Sequence, residues 1–208
     1  MGISERRERE KQQRRNDIVD AAEDLFFSHG FETTTMDQVA DKAEFSKGTL
    51  YLYFKNKDDL YTAINARGLK VLVDLFVEAK KKGDSGFEKI KRITEAYHTF
   101  FHDYHNYFNV MLTCENRPDN TETDQEDSKY GYQAIQEVAE AVAIGVQDGS
   151  LKEGLEPVST AITLWAQSTG IFQVVHSHGQ FIQEGFNLDT EKLIEDSMHL
   201  IHSAIAKY

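Results

Sequence analysis

Three histidines, His98, His102 and His105, fall at i, i+4 and i+7 of one apolar-periodic stretch, the spacing at which imidazoles on a single helical face could hold a metal ion. Glu95, Asp103 and Cys114 are further ligand types nearby. No H-E-x-x-H signature or Cys-x-x-Cys pair accompanies them, and polar histidines opposite an aromatic face are commonly just solvated. No metal site and no cofactor are therefore assigned; a metal-responsive role for His98, His102 and His105 stays as an alternative. The same stretch offers apolar binding instead. Tyr97, Phe101, Tyr104, Phe108 and Met111, joined by Trp165 and Phe172 from a later segment, supply the aromatic lining and the few phenols of a ligand cavity. For any single one of them, plain core packing is the simpler reading. A third group suits phosphates: Thr35, Lys47, Thr49, Tyr51, Tyr53 and Lys57 bring hydroxyls, phenols and ammonium groups, and Gly48 permits close backbone approach. Catalysis is not expected. There is no G-x-S-x-G, no phosphate-binding glycine loop, no paired-carboxylate site, and Cys114 has no evident base partner.

The phosphate-type residues are crowded into residues 33–60, which read as two short helices and the start of a third. Thr35 with Gln38 forms a T-x-x-Q capping box, followed by Met36, Val39, Ala40 and Ala43 at helical spacing. The pattern breaks at Ala43-Glu44-Phe45, and Ser46 is placed to cap a second helix through about Phe54, with Leu50 and Phe54 facing inward. Asn56 caps the next helix. Lys57 in its first turn opposes the helix dipole, a poor choice for stability but a useful one for docking a phosphate. Two helices this short cannot stand alone and must pack on a neighbour. The arrangement is that of a helix-turn-helix, whose second helix enters the DNA major groove.

The run T-T-x-x-x-V-A-x-x-A-x-x-S-K-G-T-L-Y-x-Y-F-x-N-K-x-x-L, within a match over about residues 17–60, resembles the DNA-binding domain of the TetR family of bacterial transcriptional regulators. Tyr53 stands where histidine is frequent in that family, which bears on base-level specificity rather than on fold. The resemblance implies an all-α chain with a three-helix DNA-binding domain at 1–60, including a charged arm at 1–15, and a helical effector-binding and dimerisation domain at 61–208. It also implies a regulator, a repressor, released from a palindromic DNA operator by a small lipophilic or aromatic effector. A helical interaction protein without DNA binding is the contrasting class.

Bulk properties fit this class without suggesting it. The 208 residues are 40% hydrophobic and 28% charged, with two prolines and one cysteine. Nothing approaches an eighteen-residue apolar run, so no membrane partner is expected, and a lone cysteine suits a reducing cytoplasm. The net charge of −12 argues against indiscriminate nucleic-acid binding; residues 1–60 carry ten Lys/Arg and thirteen Asp/Glu, but residues 1–15 carry six Lys/Arg against three Glu. That segment is either a solvated tail or a basic arm, with Arg14 and Arg15 the better candidates for DNA. Further along, helical spacing predicts a first helix ending at Gly30, a long helix over 57–82, and an aromatic helical region over 86–115. An exposed acidic loop follows at 116–127, then helices over about 128–147, 157–178 and 189–205, with a Gly179–Gly185 link before the last. By the resemblance, the last two helices pair with their twins in a homodimer, since one such module reads too few bases alone.

Overall fold

The computed structural model describes residues 2–114 and 122–207. Those residues form nine helices and no strand beyond an isolated bridge between Leu151 and Ala206. In order they are α1 (Ile3–His29), α2 (Met36–Lys42), α3 (Lys47–Tyr53), α4 (Lys57–Lys80), α5 (Gly86–Asp103), α6 (His105–Thr113), α7 (Glu122–Asp148), α8 (Pro157–Phe186) and α9 (Thr190–Ile205). Side-chain caps set many of the starts: Thr35 for α2, Ser46 for α3, Asn56 for α4, Ser85 for α5, Glu156 for α8 and Asp189 for α9. Each satisfies backbone N–H groups that a helix start leaves without partners, which is worth about 1 kcal/mol per cap.

The chain divides into two compact units, Met1–Gly68 with Asn106–Lys129, and Leu69–His105 with Tyr130–Tyr208. The family resemblance implies a boundary after residue 60; the first unit also takes in residues 61–68 and 106–129. Its interior is largely aliphatic: Ile18, Val19 and Ala22 of α1, Val39 and Ala40 of α2, Leu50 of α3, Leu60 and Ile64 of α4 and Val110 of α6, closed by Phe26 and Phe54. Helices of seven residues have no independent stability, so α2 and α3 exist because these side chains dock there. Burying one such side chain is worth about 1.5–3 kcal/mol. Gly68 has a packing role: a Cβ there would come 2.9 Å from Tyr107, whose hydroxyl donates to Glu23 at 2.8 Å.

The interior of the second unit is also mainly aliphatic, with Leu72, Ile90, Ile93, Val142, Leu151 and Ile194 among its buried residues, and it holds an aromatic cluster of Phe76, Tyr97, Phe100, Phe101 and Phe172. Lys80 bridges Glu137 and Glu140 of α7. Gly86 and Gly145 bring α5 and α7 into backbone contact; a Cβ on Gly86 would lie only 2.0 Å from the Gly145 nitrogen.

Three expectations are corrected. The aromatic region is two helices, because α5 ends at Tyr104 (φ −120°, ψ 37°) and α6 begins at His105. The break lies where the chain leaves the second unit for the first. Of the acidic loop at 116–127, residues 116–121 lie outside the described residues, while those from 122 on are helical. Thr123 and Asp127 are buried there, because Arg15 and Asn65 give them hydrogen bonds. Finally, α8 continues through Gly179 and Gly185 to Phe186. Burial of Ile182 and the Gln183–Thr190 hydrogen bond at 3.1 Å offset glycine costs of about 1 kcal/mol each.

Candidate nucleic-acid interface and effector site

The turn between α2 and α3 is held by backbone geometry. Phe45 N–H donates to Ala40 O at 3.0 Å and Glu44 N–H to Asp41 O at 3.2 Å, with Glu44 in the left-handed region at φ +58°. This is a Schellman termination with a glutamate where glycine is usual. It delivers Ser46, whose Oγ accepts from Thr49 N–H at 3.1 Å and pairs with the Thr49 hydroxyl at 2.9 Å. Thr35 is committed in the same way: its Oγ1 accepts from Gln38 N–H at 3.3 Å, and its own N–H donates to Gln38 Oε1 at 2.8 Å. The hydroxyls of Thr35 and Thr49 are thus structural first, and available to DNA only through a remaining lone pair or proton.

On α3, Leu50 is buried and Tyr53 is partly buried against the core, while Lys47, Gly48, Tyr51 and Leu52 face out. Tyr51 is 53% exposed and Leu52 84%. Leu52 escaped the sequence reading because an apolar residue offers no phosphate chemistry; its signal was that it lies off the Leu50–Phe54 face. Among the described large apolar side chains that remain exposed, Tyr51 and Leu52 are the two in the first unit, and both are on this helix.

The lysines are engaged. Lys47 Nζ is 2.6 Å from Asp37 Oδ2, and that hydrogen bond and charge raise its pKa. Lys57 Nζ donates to Phe31 O at 2.6 Å and Glu32 O at 3.3 Å and sits 4.3 Å from the Phe31 ring centroid. Its position opposite the helix dipole is therefore explained by the α1–α2 turn that it ties down. Arg15 is not part of a DNA arm: it is buried, its guanidinium donates to Glu126 at 3.0 Å, and it lies over the Phe54 ring. Residues 4–15 themselves continue α1.

In the second unit, Tyr97, Phe101 and Phe172 come together. Phe101 stacks on Phe172 at 4.9 Å with rings 6° apart, and Tyr97 meets Phe172 edge-on at 5.2 Å. The Tyr97 hydroxyl pairs with Thr169 Oγ1 at 2.7 Å and with the side chain of Trp165, and burial pushes its pKa up to about 12. It stays a neutral phenol, the polar point of an otherwise apolar cluster. Trp165 is half exposed at the edge, and Tyr104 stacks on Phe100 at 5.8 Å. Phe108 and Met111 belong to the first unit. The predicted trio of histidines is divided too. His98 and His102 remain one turn apart on α5 with Nε2 atoms at 2.9 Å, but the break at Tyr104 puts His105 at the head of α6, so the i, i+7 relation is lost.

Large apolar groups stay exposed on the second unit, among them Ile162, Trp165, Val174 and Phe181 of α8 and Leu200 of α9. No helix among the described residues is long and apolar enough to cross a membrane.

Residues 18–64 match the family model described as bacterial regulatory proteins, tetR family. A fatty acid metabolism regulator protein of Bacillus subtilis is 24% identical over 170 residues, covering 76% of this chain and 86% of its own length. The crystal structure of FadR from Bacillus subtilis in complex with stearoyl-CoA superposes with a TM-score of 0.69 at 21% identity, over 90% of this chain and 97% of that one. SmeT, the repressor of a Stenotrophomonas maltophilia multidrug efflux pump, gives 0.65 at 21% identity, over 93% and 90%.

Proposed function

We infer, from this chain's membership of the TetR family of bacterial transcriptional regulators through residues 18–64, that it is a homodimeric repressor released from DNA by a lipophilic effector. The observation that carries the DNA reading is the exposed face of α3. Lys47 and Tyr51 can reach phosphates there, and Gly48 lets the backbone approach. Leu52 is 84% exposed on a helix whose other large aliphatic, Leu50, is fully buried, and it can rest on a thymine methyl group in the major groove. Thr35, Thr49 and Tyr53 flank that face. Lys57 has two of its three donors on backbone carbonyls, leaving one for a phosphate.

Dimerisation is supported by the exposed apolar residues of α8 and α9, which a solvated helix has no reason to carry. Two-fold pairing would give two recognition helices for half-sites about 34–36 Å apart. For the effector, the aromatic cluster around Tyr97 offers apolar walls and one neutral phenol. The stearoyl-CoA bound by FadR of Bacillus subtilis makes a long-chain acyl-CoA the first candidate. Both α4 and α7 carry residues of both units, so a ligand that alters their course in the second unit acts on the first. Weakening DNA binding a hundredfold requires about 2.7 kcal/mol of differential ligand affinity between the two states.

The test is fluorescence anisotropy with duplex DNA from just upstream of the protein's own gene, against scrambled duplex at matched salt. Salt-dependent binding at least about a thousandfold tighter than to the scramble, reversed by stearoyl-CoA, is the expected result. Equal weak binding to both duplexes contradicts the DNA reading; tight binding unaffected by acyl-CoA contradicts only the effector.

A further inference from the structure

We propose that His98, His102 and Glu191 form a binding site for a divalent transition metal ion, built between α5 and the first turn of α9. His98 Nε2 and His102 Nε2 are 2.9 Å apart, and each lies 3.3 Å from Glu191 Oε2. An ion with ligands at about 2.0–2.1 Å in tetrahedral geometry requires ligand–ligand edges of about 3.3–3.4 Å. Two edges of this triangle already have that length, and the third needs to open by a few tenths of an ångström. This site adjoins the aromatic cluster but takes no ligand from it, and it stands whether or not that cluster binds an effector.

The surroundings hold the donors in place. The His98 ring stacks on Phe172 (5.8 Å, 24°), which is itself stacked on Phe101, so the imidazole plane is fixed by the aromatic cluster. Glu191 is positioned by the Asp189 cap, whose Oδ1 accepts from Glu191 N–H at 2.8 Å and Lys192 N–H at 3.1 Å. Two imidazoles and one carboxylate suit Zn2+ and similar borderline ions, whereas Ca2+ and Mg2+ take oxygen ligands. Three protein ligands leave a fourth position for water or an incoming donor, as in sites that are not purely structural. His105, which sequence spacing would have grouped with these two, is outside the cluster.

The experiment is a Zn2+ titration of the chelator-stripped full-length protein in competition with a chromophoric chelator, with thermal melting in parallel. One Zn2+ per chain is expected, along with a Zn2+-dependent rise in Tm that Mg2+ and Ca2+ do not reproduce. His102→Ala and Glu191→Gln, both at partly exposed side chains, should each weaken binding about a hundredfold and abolish the Tm rise, while His105→Ala changes neither. No uptake, uptake unchanged in both cluster variants, or a His105→Ala loss equal to that of His102→Ala would overturn the site and leave an ordinary histidine–carboxylate pair.

Discussion

The two units differ most in the large apolar groups they leave exposed. In the first, the interior is mostly aliphatic, and its polar contacts tie segments far apart in sequence. Lys57 holds the carbonyls of residues 31 and 32, Arg67 pairs with Asp20 and Glu23, and Arg15 reaches Glu126. In the second, the interior is mostly aliphatic as well and contacts such as Lys80–Glu137 and His98–Glu191 also tie distant segments, but Tyr97, Phe101 and Phe172 gather into one stacked cluster and many more large apolar side chains are left outside. A framework tied by directional bonds presents a fixed face, here Tyr51 and Leu52. A stacked aromatic cluster can admit an apolar molecule without stranding many polar groups. This difference is what the proposed division into a DNA-reading unit and an effector-binding unit calls for.

If the exposed apolar face of α8 is the dimer contact, Ile162→Glu should produce the largest change. Burying a charge there should weaken dimerisation at least about a hundredfold, or about 2.7 kcal/mol, and DNA affinity should fall with it. Sedimentation equilibrium reads this directly; an unchanged dimer would move the interface elsewhere. The next effect tests the polar ties of the first unit. Burial raises the Asp127 pKa to about 6 from an ordinary 3.8, with the Asn65 amide at 2.7 Å only partly opposing it. The unfolded carboxyl ionises near its ordinary value while the folded one holds its proton to about 6. Stability should therefore fall as pH rises between those values and level off above. Asp127→Asn should remove that slope and stabilise the fold at pH 7 by up to about 2 kcal/mol, seen in denaturant melts at several pH values.

A smaller effect concerns the turn itself. Glu44→Gly relieves a left-handed glutamate and should add about 1 kcal/mol without altering DNA affinity. Any loss of binding would assign Glu44 to the interface. Smallest of all, Asp37→Asn frees Lys47 from its ion pair and should tighten DNA binding about threefold and steepen the salt dependence. No change would mean that Lys47 does not reach a phosphate.

Most of the helix-turn-helix was legible because its signals are local. Thr35, Ser46 and Asn56 cap within three residues of what they satisfy, and Gly30 terminates α1 at φ +91° as its position implied. What was not legible depended on partners far away in the chain. Nothing local says that Lys57 reaches carbonyls 25 and 26 residues back, or that Arg15 turns inward to Glu126. The helical spacing of residues 97–111 was real but carried no mark of the break at Tyr104. Grouping His105 with His98, and Phe108 with Tyr97, assumed one continuous helix. Glu191, 93 residues beyond His98, could be placed beside it only by the fold. Likewise, two glycines suggested a link at 179–185 that packing of Ile182 overrides.

The proposed DNA recognition rests on the exposed face of α3. The direct measurement compares the wild type with Tyr51→Ala/Leu52→Ala by anisotropy on the upstream duplex at fixed salt, with melts of both proteins alongside. Because both side chains are exposed, the variant should melt within about 1 kcal/mol of the wild type. Its specific affinity should fall by one to two orders of magnitude, about 1–3 kcal/mol, toward that for the scrambled duplex. Unchanged specific binding with an intact melt would show that this helix is not what reads DNA.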